Sequence, residues 1–167
     1  MRDIESLHAA LAASSPAVLE VGKWLHYAGR GIWVPPLRFA PSLTVAHEYS
    51  DGGDLFVEAR DNSCWQLVEV KQNTGANWRC RDEWPERFCG LMFVTNPNRL
   101  HRDVHAYVIV NNALDTVAVV PGELKSTFST HRIFMKNSGK IEPVCACSPD
   151  QAIFVRMVMR HRLPVQR

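Results

Sequence analysis

Asp54, Glu69 and Lys71 are the residues whose types and spacing could do chemistry. They lie in two strand-like runs, residues 54–60 and 65–72, joined by the polar tetrad Asp61-Asn-Ser-Cys64. Side chains alternate faces along a strand, so Trp65, Leu67, Glu69 and Lys71 share one face while Gln66, Val68 and Val70 take the other. If the hairpin closes about Asn62-Ser63, Asp54 falls opposite Lys71 and Phe56 opposite Glu69. Asp54 is then a diagonal neighbour of Glu69, within reach for two groups sharing one cation. A loop one residue longer or shorter would flip one strand's faces and break this geometry. Given it, two oxygen ligands from different strands suit Mg²⁺ (or Mn²⁺), which keeps most of its waters and needs only one or two carboxylates. A lysine beside the ion could orient or deprotonate a bound water. The alternative is a solvated strand edge whose Glu69–Lys71 ion pair contributes at most about 1 kcal/mol.

The elements that must position these residues are partly legible. Ser14-Ser15-Pro16 has the form of a helix start, and Val18, Val21, Leu25 and Ala28 follow at helical spacing until Gly29-Arg-Gly31. A helix of about a dozen residues is expected, with Glu20 beside its apolar stripe. Leu43 to Tyr49 reads as a strand, Ser50-Asp-Gly-Gly53 as a turn, and Leu55 to Arg60 and Trp65 to Gln72 as the two strands of the hairpin. A loop with one short helix around Asp82 to Phe88 comes next. Leu91 to Thr95, Ala106 to Val110 and Thr116 to Val120 are continuous apolar runs, the pattern of strands covered on both faces. Arg132 to Met135 and Pro143 to Ala146 are further strand candidates across Asn137-Ser-Gly139. Ser148-Pro-Asp-Gln151 has the form of a helix start leading into Ile153 to Arg160.

This order of elements and residues resembles the PD-(D/E)XK nuclease superfamily, whose core has an aspartate at the start of one strand and an acidic-x-lysine motif on the next. The matching residues are Asp54 and Glu69-Val70-Lys71. The family's proline is absent, Gly53 standing before Asp54. The resemblance implies an α/β (α+β) fold: one domain with a central mixed sheet flanked by helices, its restriction-endonuclease-like core spanning roughly residues 15 to 120 and residues 121–167 forming an extension. It implies a metal-dependent nuclease hydrolysing phosphodiester bonds, of DNA before RNA, in which Asp54, Glu69 and the Val70 carbonyl hold Mg²⁺ and Lys71 serves the attacking water. Glu20 would be an additional acidic residue from the preceding helix, and Gln72 a polar residue after the motif. Compact members occur in phage and mobile-element genomes, and a duplex-cutting member this small would often act as a homodimer. An acidic-x-lysine triplet arises by chance about once in a chain this long. A second, Glu123-Leu124-Lys125, follows Pro121-Gly122 and reads as a turn.

Other patterns carry less. His101 and His105 have the spacing of helical zinc ligands, but Asn-Pro-Asn precedes them and no acidic partner motif accompanies them. Ser126, Ser129 and His131 lack a nucleophile elbow. Cys145-Ala-Cys147 reads as buried strand thiols. The 167 residues, 46% apolar and 22% charged, suit one globular domain. The balance of 19 basic against 17 acidic residues excludes a bulk polycation, so any nucleic-acid surface must be local. Candidates are Arg79-Cys-Arg81, Arg99 to Arg102, Lys125, and Arg160-His-Arg162, with Trp78 and Trp84 available to stack on bases. Five scattered cysteines suit reduced thiols in the cytoplasm. The charged Met-Arg-Asp-Ile-Glu start argues against a signal peptide, and no membrane span is expected. A non-catalytic module binding nucleic acid or protein on the same fold is the competing function.

Overall fold

A 24-residue helix, α1 (Ile4–Tyr27), opens the computed structural model, which describes residues 4–35, 54–88, 90–97, 100, 102–135 and 139–158. It starts a full ten residues before the expected cap, because Ile4 to Ala13 is rich in Ala and Leu and extends the helix through Pro16. Proline there costs one backbone hydrogen bond, which the packed helix absorbs. The C-terminal end matches expectation. Gly29 adopts φ 83°, Arg30 N–H donates to the Leu25 carbonyl at 3.1 Å and Gly29 N–H to that of His26 at 2.9 Å. This pair of bonds closes the last turn and needs a residue free to be left-handed.

Nine strands follow among the described residues: β1 (Ile32–Trp33), β2 (Asp54–Glu58), β3 (Trp65–Gln72), β4 (Met92–Thr95), β5 (Val104–Val110), β6 (Thr116–Pro121), β7 (Ser129–Met135), β8 (Lys140–Cys147) and β9 (Ile153–Arg156). The main sheet has the order β1-β2-β3-β5-β6-β9, and β4-β8-β7 form a second sheet. Among the described strands only the β3–β5 pair is parallel. The fold is mixed α+β, with most of its regular structure in strands. Leu43 to Tyr49, Ser50 to Gly53, Arg99, His101, Arg160 and Arg162 lie outside the described residues.

The β2–β3 register departs from the expected one by two residues. Asp54 pairs with Glu69 and Phe56 with Leu67, so the hairpin turns about Asp61-Asn62. The cause is local: Asn62 takes φ 57°, and its N–H donates to the Ala59 carbonyl at 2.9 Å. A shift of two preserves the faces. Asp54 therefore stands directly across from Glu69, closer than the diagonal relation the sequence suggested.

Each face of the main sheet is covered differently. Ala17, Val18 and Val21 of α1 pack on Leu55, Val57, Val68, Val70, Val108 and Val117. The opposite face, carrying Leu67, Tyr107, Ile109, Ala118 and Val120, packs against Trp78, Trp84, Met92, Val94 and Cys147. The expected arrangement of helices flanking the sheet is corrected here: among the described residues α1 is the only α-helix, and strands with one-turn 3₁₀ segments cover the second face. The crossover between parallel β3 and β5 is the reason. Such connections usually carry a helix, but Gly75, Pro85, Gly90 and Pro97 break up residues 73–103, where the described residues form β4 and short 3₁₀ turns such as Arg81–Glu83 and Glu86–Phe88. A similar correction applies after Ser148. The serine builds a full capping box with Gln151, yet the turn lasts three residues and the β-favouring Ile153-Phe-Val then forms β9 rather than a helix. Residues after 120 thus supply β9 to the main sheet and β7 and β8 to the second. No helix among the described residues is long and apolar enough to cross a membrane.

Candidate functional site

Glu69 sits at the centre of the candidate site, flanked by Asp54 of β2 on one side and Tyr107 of β5 on the other. Its side chain is 1% exposed. An isolated carboxylate at that depth would be neutralised or very costly, and two groups meet it. Thr95 Oγ1 donates to Glu69 Oε1 at 2.8 Å, and Lys71 Nζ lies 3.4 Å from the same oxygen. Lys71 keeps 36% of its side chain exposed, so the pair runs from the interior to the surface.

Thr95 reaches Glu69 because of an irregularity in β4. The pairing with β8 shifts between Phe93 and Thr95, and Val94 and Thr95 are both buried in consequence. An extra residue in one strand re-aims side chains in this way. The hydroxyl therefore comes from the second sheet while both charges come from the main one. Nothing in the hairpin motif pointed to it; the available signal was one polar residue ending the apolar run Leu91 to Val94.

The remaining candidates are dispersed. Glu20 is on α1, which covers the Val68/Val70 face, and it pairs with Lys23 at 2.6 Å. It is not brought to Glu69, which faces the second sheet. Val70 buries its side chain in the α1-side core. Gln72 closes β3 and lines a cleft beside Lys71. Arg81 is held by Asp150 at 2.6 Å and Asp82 at 3.2 Å, ties that raise its pKa and bind the loop to the turn before β9. Arg79 is exposed, and Lys125 Nζ donates to the Arg102 carbonyl at 3.2 Å. Among the described residues, Arg79, Arg81 and Lys125 are not among those lining the cleft at Lys71. Trp78 and Trp84 are core residues rather than an exposed stacking surface, and Cys145 and Cys147 are buried free thiols as expected.

Comparison with protein-family models, with curated proteins and with solved structures gives no match. The chemistry of the site therefore rests on its own residues.

Among the described residues no three His, Cys, Asp or Glu side chains converge on a point. The donor set at β2 and β3 is smaller and harder: a buried carboxylate and an aspartate at its paired position. A pair of carboxylate-bearing residues, with water completing the shell, is the donor type that magnesium or manganese takes.

Tyr107 reports on the charge at Glu69. Its hydroxyl is buried and finds no hydrogen-bond partner among the described residues. Burial first, and the Glu69 charge second, push its pKa from 10.0 up to about 12. The folded state therefore holds this proton more tightly than the unfolded chain. Tyr107 contributes stability fully present below pH 10 and lost as the pH rises towards about 12. Tyr107→Phe should flatten that part of the curve at no hydrogen-bond cost, which urea unfolding of both proteins between pH 9 and 12 will show. Equal slopes would refute the assignment.

Proposed function

We propose that the protein is a Mg²⁺- or Mn²⁺-dependent nuclease that hydrolyses nucleic-acid phosphodiester bonds, of DNA before RNA, on a restriction-endonuclease-like core. The observation that carries the reading is the register: Asp54 opens β2 directly across from Glu69, and Lys71 lies on the same strand 3.4 Å from the Glu69 carboxylate. An aspartate at a strand start followed by acidic-x-lysine on the next strand is the pattern expected from the sequence.

In this reading Asp54, Glu69 and the Val70 carbonyl are the metal ligands. The bound ion supplies Lewis-acid polarisation of the phosphate and a more acidic water. Lys71 bridges the buried carboxylate and the adjacent cleft, where it would orient the attacking water. Thr95 fixes one carboxylate oxygen by hydrogen bonding and so restricts how Glu69 can turn. The protein works in the cytoplasm, where its thiols stay reduced, and a homodimer would serve a duplex substrate.

One observation favours a second reading. Glu69 is 1% exposed beneath β4, so the Glu69–Thr95–Lys71 network could serve to join the two sheets of a non-catalytic module that binds nucleic acid or protein. Cleavage separates the two. Labelled linear, branched and single-stranded DNA are incubated with the protein in Mg²⁺, Mn²⁺ or EDTA, beside Lys71→Ala. The nuclease reading expects metal-dependent cutting that falls by about 100-fold or more in the variant. No cutting by the parent, or equal cutting by a folded Lys71→Ala, leaves the binding module.

A further inference from the structure

A cleft of about 560 Å³ opens between β3 and the second sheet, within the roughly 300–1,000 Å³ of small-molecule sites. Lys71 and Thr95, which both contact the Glu69 carboxylate, line it, so whatever enters lies against the candidate site. Phe88 and Phe93 supply aromatic surface, their rings edge to face at 6.3 Å. Asn73 borders it from the end of β3, and Glu142 from β8. Lys71 and Glu142 are the charged groups among its lining residues.

That composition is selective. Aromatic side chains stack on any base, lysine is a point charge for phosphate, and a carboxylate accepts hydrogen bonds but cannot donate them. We propose that the cleft receives one unpaired nucleobase of the substrate strand, packed against Phe88 and Phe93, with its amino edge donating to Glu142 and its phosphate held by Lys71. The choice of nucleic acid as ligand rests on the nuclease reading. A paired base has neither a free face nor a free edge, so duplex must open before it can enter. Cytosine offers its N4 amino group to a carboxylate, whereas thymine presents the O4 acceptor. Single strands bearing amino bases, cytosine the smallest of them, are thus preferred over thymine.

The test is fluorescence anisotropy in EDTA with labelled oligo(dC), oligo(dT) and a duplex of equal length. Oligo(dC) should bind about ten-fold tighter than oligo(dT) and tighter than the duplex. Glu142→Gln should remove the preference for oligo(dC) while oligo(dT) still binds. Phe93→Ala should weaken both single strands by about ten-fold. Because Phe93 also packs in β4, displacement of oligo(dC) from the unsubstituted protein by dCMP against dTMP measures the same discrimination without a substitution. Equal affinity for oligo(dC) and oligo(dT), or duplex bound as tightly as single strand, overturns the proposal. Metal is absent throughout, so the two readings fail separately. Selective binding without cleavage in Mg²⁺ sinks the nuclease and spares the cleft, and cleavage without base preference does the reverse.

Discussion

On the proposed nuclease reading, Glu69→Gln should abolish cleavage while the protein stays folded. The amide has nearly the shape of the carboxylate, and its oxygen still accepts the hydroxyl of Thr95, now held at 2.8 Å. What it loses is charge, both for the proposed cation and for Lys71 at 3.4 Å. Preorganised charge at a reacting centre accounts for about 100- to 1,000-fold in rate per group, so a loss of that size is expected in initial rates with Mg²⁺. Stability should move by only about 1 kcal/mol, because a partly exposed ion pair adds little. Glu69→Ala differs: it opens a void and strands Lys71 beside it, combining a cavity with a lost partner. A Glu69→Gln protein that cuts at the parental rate would reduce Glu69 to a polar tie between two sheets.

Trp78→Ala should cost about 3–5 kcal/mol, the range for deleting a fully buried large aromatic. Trp78 is 0% exposed, with ring centroids 5.1 Å from Trp84 and 5.4 Å from Phe154. Its carbonyl accepts the Asn111 side-chain amide at 3.0 Å, and Asn111 in turn holds the β5–β6 turn through Asp115 and Thr116. The ring thus anchors the crossover loop that carries Trp84 and Phe88 to the cleft. Its indole N–H has no hydrogen-bond partner among the described residues, so Trp78→Phe loses packing alone and should cost clearly less. Calorimetry of the three proteins checks the order, with a fall in Tm of roughly 10 °C for Trp78→Ala in a domain this size. An unchanged Tm would contradict the packing described.

The hairpin was legible because its polar tetrad and period-two alternation specify strands and faces together. Its register was not, since the left-handed turn at Asn62 depends on one backbone angle that composition does not fix. The apolar runs of β5 and β6 declared themselves as central strands. β4 gave the same signal yet lies at the edge of a second sheet, because a continuous apolar run shows that both faces are covered and not which sheet covers them. The motif showed Glu69 and Lys71 but not their burial partner. Thr95 is 26 residues away and reaches Glu69 only through an irregular pairing with β8. Glu20 misled for a related reason: its helix was foreseen, while the face it covers follows from which side of β3 the valines occupy.

The proposed cation site of Asp54 and Glu69 is tested, without requiring a substrate, by Mn²⁺ binding followed by electron paramagnetic resonance. The unsubstituted protein should take up Mn²⁺, and Asp54→Asn and Glu69→Gln should each lose it while remaining folded. Uptake that survives both substitutions, or no uptake by the parent protein, would contradict the site described.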